Sequence, residues 1–294
     1  MDHPGNDRRP GEQPTPPLGI FDKINNYLLL FYAAACLLMY FSLQGFFYAE
    51  KLIALSLILP GILTILVPFY LLSQRSPFGF VREFRMTLPR LLTLAISVVA
   101  VGSAVIPMNA LQGVVFRKWP QNPEYISFLL SIKPKGPGSL ILVGIGIVVV
   151  AAIAEELLFR GFIQRILERN MGGPLAVILT GVLFALMHFD APAFLGITGL
   201  GILFCYIFYR TRNLWNSILA HACFNAFDLW RLNAMSPEEI SSRQTETTPV
   251  AWLIVSVVVL VGAVWALRRV TRGSAPPTLQ QEPPMQPPTA PPAA

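Results

Sequence analysis

The chain has 294 residues, of which 54% are hydrophobic and only 13% charged, with a mean hydropathy of +0.56. A soluble domain carries roughly twice that charged fraction, so these few charges cannot cover a water-facing surface, and lipid must solvate much of the outside. The net charge of +6 is spread singly between apolar runs rather than gathered in a patch, which argues against nucleic acid and for topology determinants and contacts with anionic membrane lipids.

Residues 1–19 are polar and hold five prolines. They cannot bury enough surface to fold and are expected to be a disordered tail. The apolar run that follows is too long for the core of a cleavable signal peptide. Apolar runs long enough to cross a bilayer as helices are then expected near 26–48, 52–73, 90–110, 139–163, 174–190, 193–210, 214–230 and 250–267. Residues 273–294, with eight prolines, read as a second disordered tail. Either tail could also serve as a Pro-rich ligand for an SH3-type domain. The expected architecture is therefore all-α: a polytopic membrane bundle of about eight transmembrane helices over residues 20–272. No internal repeat is evident, which weighs against an inverted-repeat transporter. Cys36, Cys205 and Cys223 lie in apolar segments with neither disulfide nor zinc-motif spacing and read as small core residues.

Eight spans put both termini on one side. One set of helix ends carries Arg8, Arg9, Lys23, Arg75, Arg82, Arg85, Arg90, Arg165, Arg169, Arg210, Arg212, Arg268, Arg269 and Arg272. The other carries Lys51, Arg117, Lys118, Lys133, Lys135, Arg231 and Arg243. This two-to-one bias predicts cytoplasmic termini in a multi-pass protein of the cell membrane.

Ionisable residues inside spans cost at least about 2.5–3.5 kcal/mol each and are functional candidates by default. Here they concentrate in three places: Glu155, Glu156 and Arg160 in the fourth span, His188 in the fifth, and His221 with Asn225 in the seventh. Glu156 and Arg160 are four residues apart, share a helix face and can pair, which reads as structural support. Glu155 is turned about 100° from Glu156 and points elsewhere. His221 and Asn225 are again i and i+4. Measured from the arginine-rich helix ends, Glu155 falls about 15 Å deep, His188 about 21 Å, and His221 and Asn225 about 11 and 17 Å. A single layer near the bilayer midplane is therefore expected to hold all four. Asp190 and Asp228 read as interfacial residues near outer helix ends, and Phe184 as packing.

A carboxylate taken out of water becomes a better base near neutral pH. Glu155 with His188 could hold and deprotonate a water, and His221 with Asn225 could donate to the oxyanion of a tetrahedral intermediate. That set suits water-mediated peptide hydrolysis. Zinc held by two carboxylates and two histidines is the nearby competitor. It is disfavoured by the commitment of Glu156 to Arg160 and by the lack of a His-x-x-x-His helix.

Glu155-Glu156-x-x-x-Arg160 followed by Gly161, Phe184-x-x-x-His188 and His221-Ala222-x-x-Asn225 resemble the three motifs of the CPBP family. This family comprises the type II CAAX prenyl endopeptidases and their bacteriocin-processing and immunity relatives. The resemblance covers about residues 145–230. It implies an eight-helix intramembrane glutamate endopeptidase with no required cofactor. Glu155 and His188 would activate water, His221 and Asn225 would form the oxyanion hole, and Glu156 with Arg160 would support the site. The implied partner is a membrane-associated peptide or protein, prenylated or not. A non-catalytic immunity or scaffold protein is the first alternative, and a proton-coupled transporter the second.

Overall fold

The computed structural model describes residues 19–116, 118–119, 123–242 and 248–272. The two expected Pro-rich tails lie outside these residues, apart from Gly19, as do Arg8, Arg9, Arg117 and Arg243. Among the described residues the chain forms helices and no strand. They are α1 (Ile20–Lys23), α2 (Asn26–Ala49), α3 (Ile53–Ser73), α4 (Gly79–Glu83), α5 (Leu91–Phe116) and α6 (Pro123–Ile132). The series continues with α7 (Pro137–Met171), α8 (Gly173–Leu186), α9 (Phe194–Thr211), α10 (Leu214–Ala234), α11 (Pro237–Ser242) and α12 (Val250–Val270).

A helix stands at each of the eight expected spans, long at all but α8. Six of them (α2, α3, α5, α7, α9 and α12) are long and apolar enough to cross a membrane, and the protein is an integral membrane protein. Helix α10 is long but carries His221, Asn225, Asp228 and Arg231 among its apolar residues. Helix α8 departs from expectation. It ends at Leu186 after 14 residues, and Phe189 just beyond adopts a left-handed φ of 49°. His188 is therefore in the turn after the helix, exposed, rather than within a span. The short α4, α6 and α11 were not expected, because none carries an apolar run of membrane length.

The helix ends follow from local chemistry. Asn25 and Asn213 each accept a hydrogen bond from the backbone N–H two residues on, at 2.8 and 3.0 Å, capping α2 and α10. Pro137 and Pro174 open α7 and α8, where a missing N–H costs nothing. Gly172, at φ 82°, makes the turn between them, a left-handed conformation with no Cβ penalty.

Helix α7 is the axis of the bundle, packed by α2, α3, α8, α9 and α10, while α5 and α12 form an outer layer against α9 and α10. Between lipid-solvated helices, close approach depends on small residues rather than on hydrophobic drive. A methyl group at Gly146 would sit 2.6 Å from Leu57 Cβ, where α7 meets α3. One at Gly181 would sit 2.7 Å from the Ile202 backbone nitrogen, where α8 meets α9. Cys36 and Cys205 are buried as expected, but Cys223 is exposed on α10. It lies two residues from His221, roughly 200° around the helix and away from the packed face.

The arginine-rich helix ends gather at one end of the bundle, as the charge pattern implied. Arg169 pairs with Asp22 at 2.6 Å, Arg165 with Glu83 and Arg212 with Glu168, while Arg210 bonds Thr271 at 3.1 Å. At the opposite end Lys133 reaches the carbonyls of Leu232 and Asn233. Substituting Gly181→Val should force α8 from α9 and lower stability by about 1–3 kcal/mol. Gly102→Ala, where an added Cβ meets nothing within 4 Å, should not; thermal unfolding in detergent compares the two.

Candidate active site

Four residues of α7, spaced by one helical turn, face α9 and α10: Glu156, Arg160, Gln164 and Glu168. Glu156 Oε1 and Arg160 Nη1 are 2.9 Å apart, with both side chains fully buried. The guanidinium also donates to the Gly201 carbonyl at 3.1 Å and lies over the ring of Phe184, 4.3 Å from its centroid. Gln164 donates to the Cys205 carbonyl at 3.1 Å and to Glu168 at 2.9 Å. The expected Glu156–Arg160 pair thus forms, and the Gly201 carbonyl of α9 accepts from its guanidinium.

His221, on α10, is drawn to this pair. Its Nδ1 lies 2.9 Å from Glu156 Oε1; a carboxylate oxygen accepts, so Nδ1 carries the proton. The imidazole stacks on Phe204 (centroids 4.7 Å apart, planes at 25°) and meets the edge of Phe184. Held on two sides, it presents Nε2 toward Glu155 Oε2, 3.9 Å away. That gap is too long for a hydrogen bond and is one a water can bridge.

Glu155 is turned away from the Glu156 row, as the helical angle implied. It is partly exposed and borders a small cleft with Leu37 and Tyr40 of α2, Ile65 of α3 and Met187 beyond α8. His188, next to Met187, gives Nδ1 to the Phe184 carbonyl at 2.8 Å. Its Nε2 is therefore the nitrogen left for other chemistry. His188 forms no ion pair with Glu155 among the described residues; its link to the site is Phe184, whose ring touches both imidazoles.

Asn225 lies one turn beyond His221 and donates from Nδ2 to the Ile147 carbonyl at 2.9 Å. That carbonyl belongs to a π-helical stretch, Ile145–Ala151. A π turn breaks the regular i→i+4 ladder, and in lipid a displaced carbonyl must find another donor. A second π turn, Phe159–Ile163, contains Arg160. Contacts thus link Glu155, Glu156, His221 and, through Phe184, His188, while Asn225 lies one turn beyond His221 on α10. Asp190 is buried rather than interfacial, and its Oδ1 accepts from the Ala193 N–H at 3.2 Å. Asp228 pairs with Arg231 at 3.7 Å and is half exposed. Phe204, Gly201 and Tyr40 were not legible as site residues, since an aromatic or glycine in an apolar helix looks like packing. Among the described residues no group of three or more His, Cys, Asp and Glu side chains is placed to hold a metal ion.

Residues 137–227 match a family model described as type II CAAX prenyl endopeptidase Rce1-like. This segment runs from the first residue of α7 to Phe227 in α10 and includes all six residues above. This segment of the bundle is thus similar to that family, in agreement with the motif resemblance. Among curated proteins, the candidate membrane peptidase YdiL of Bacillus subtilis (strain 168) is 32% identical over 79 residues, which cover 27% of this chain and 32% of that protein. The match therefore spans about a third of the relative's length. No solved structure gives a significant match.

Glu156→Ala would leave Arg160 buried without its partner and His221 without its anchor. It should cost about 3–5 kcal/mol, read as a lowered unfolding transition in detergent. Glu155→Ala, which removes no direct hydrogen bond to a protein group, should cost under about 1 kcal/mol. Equal losses would contradict this division between support and chemistry.

Proposed function

We propose that the protein is an intramembrane endopeptidase of the CAAX-processing type, hydrolysing a peptide bond in a membrane-associated substrate. The observation that carries this reading is Glu155. It is a carboxylate at a cleft, without a cation of its own, 3.9 Å from the free nitrogen of an imidazole fixed from behind by a buried ion pair. An ion pair that served only to join helices would not need a second carboxylate beside it. The Rce1-like match over the same helices supports the reading.

In this mechanism a water sits against Glu155, which takes its proton as the oxygen attacks the scissile carbonyl. His188, with Nε2 free, is the second group assigned to orient the water. The oxyanion forms toward α10. There His221 Nε2, when protonated, and the second amide N–H of Asn225 are the donors. Glu155 then returns the proton to the leaving amine. Glu156 and Arg160 act through His221, whose ring they hold. The chemistry needs no metal. The substrate is a peptide tethered at the bilayer, with prenyl-cysteine peptides the first to test. Both termini and the arginine-rich end are assigned to the cytoplasm of a cell membrane, in keeping with the positive-inside bias.

Detergent-purified protein should cleave a quenched peptide library, presented with and without prenyl-cysteine. Glu155→Gln should lower kcat at least about 100-fold, the lower range for loss of a general base, and chelation should leave the wild type active. Loss on chelation with recovery on adding zinc would replace the metal-free mechanism. Absence of any turnover by folded protein would favour an immunity or scaffold role.

A further inference from the structure

At the arginine-rich end, far from Glu155, a cavity of about 220 Å³ opens between the start of α5, the α9–α10 turn and the end of α12. Its polar lining includes Arg90, Thr93, Thr211, Arg212 and Asn216. Three features of this lining call for a ligand.

The first is an excess of positive charge. Arg85, Arg165 and Arg212 cluster around Glu83 and Glu168, and Arg90 stands at the cavity without a salt bridge among the described residues. Four arginines thus meet two glutamates. Burial, and then the neighbouring Arg212, push the Arg85 guanidinium below the ordinary arginine range.

The second feature is unspent hydrogen-bonding capacity. Arg212 gives Nη1 to Glu168, while its Nε and Nη2 have no partner among the described residues. It sits at φ 52°, a left-handed conformation that non-glycine residues seldom adopt. Asn216 is 1% exposed, yet its Oδ1 accepts no hydrogen bond among the described residues. A buried acceptor left empty is unfavourable. An anion alone cannot fill it; a hydroxyl can. The third feature is the surround. Leu88, which lines the cavity, is 94% exposed, and Leu91 and Leu92, which follow Arg90 in the chain, are 82% and 61% exposed, an apolar border suited to acyl chains and not to water.

We propose that this cavity binds an anionic phosphate ester bearing a hydroxyl, with the phosphate on Arg90 and Arg212 and the hydroxyl donating to Asn216 Oδ1. The volume is several times the ~30 Å³ share of a liquid water, room for a small headgroup and not for a folded peptide. The same chemistry is offered by a phosphoglycerol-type lipid at the membrane surface or by a soluble glycerol phosphate.

The test uses the full-length protein in a zwitterionic detergent, titrated calorimetrically with dihexanoyl phosphatidylglycerol, phosphatidylmethanol, phosphatidylcholine and sn-glycerol 3-phosphate. Phosphatidylglycerol should bind at one saturable site. Arg90→Gln, an exposed position expected to keep the wild-type melting temperature, should weaken it about tenfold, or about 1.4 kcal/mol. Phosphatidylmethanol, an anion without the hydroxyl, should bind several-fold more weakly, and this difference should vanish in Asn216→Ala. Tighter binding of the lipid than of free glycerol phosphate assigns the site to the membrane; equal binding assigns it to a soluble ester. Unchanged affinity in Arg90→Gln, or phosphatidylcholine binding as well as phosphatidylglycerol, would overturn the site. Equal binding of phosphatidylglycerol and phosphatidylmethanol would overturn the role of Asn216.

Discussion

A charge that enters a bilayer has to be neutralised and hydrogen-bonded by protein, because the lipid around it can do neither. In this bundle that requirement falls on one row of α7. Glu156, Arg160, Gln164 and Glu168 repeat every turn over about 18 Å, and each is answered by another helix. Helix α9 offers the carbonyls of Gly201 and Cys205, α10 offers His221, and Arg212 at the α9–α10 turn closes the row on Glu168. A shift of α9 by one turn would take both carbonyls from their donors at once. The contact of α8 with α9 at Gly181 and Gly201 matters for the same reason, since it keeps α9 pressed toward this row.

The π turns in α7 connect the backbone to the site. An unbroken α-helix would have spent the Ile147 carbonyl on its own ladder and left Asn225 facing a surface with nothing to accept its N–H. With the turn at Ile145–Ala151 the two satisfy each other. Asn225 is thereby held one turn from His221. The second turn, at Phe159–Ile163, lies where Arg160 must reach both Glu156 and α9. A helix of 35 residues is far longer than a bilayer requires, and its last two turns emerge among the arginines that tie it to α1 and α4.

Much of this was legible in the residues themselves. Eight apolar runs locate the long helices, and histidines and glutamates within them stand out because lipid tolerates so few. The Glu156–Arg160 pair follows from spacing alone. Which glutamate His221 would choose does not, because the answer depends on how α10 is rotated against an α7 altered by π turns. The end of α8 was also hidden. Leu186-Met187-His188-Phe189 reads as a continuing apolar helix, and only the positive φ at Phe189 and the buried Asp190 show the chain turning back. Helices α4, α6 and α11 escaped because a search for membrane-length runs has no means of seeing a helix of five to ten residues.

The shortness of α8 has a consequence for the bilayer itself. Fourteen residues rise only about 20 Å, against a hydrocarbon thickness of about 30 Å. The difference is made up by non-helical backbone at residues 187–193, which lipid does not tolerate unless protein covers it or water reaches it. Phe189 packs on Phe41 at 5.2 Å and covers part of this segment, while His188 stays exposed beside the cleft of Glu155. Thinning of the membrane next to α8, one of the ways a bilayer meets a short span, would bring water toward the depth of Glu155. Hydrophobic mismatch, elsewhere a small penalty of fractions of a kcal/mol per Å, would here bear on supply: a thicker bilayer would press lipid against the non-helical segment beside the cleft of Glu155.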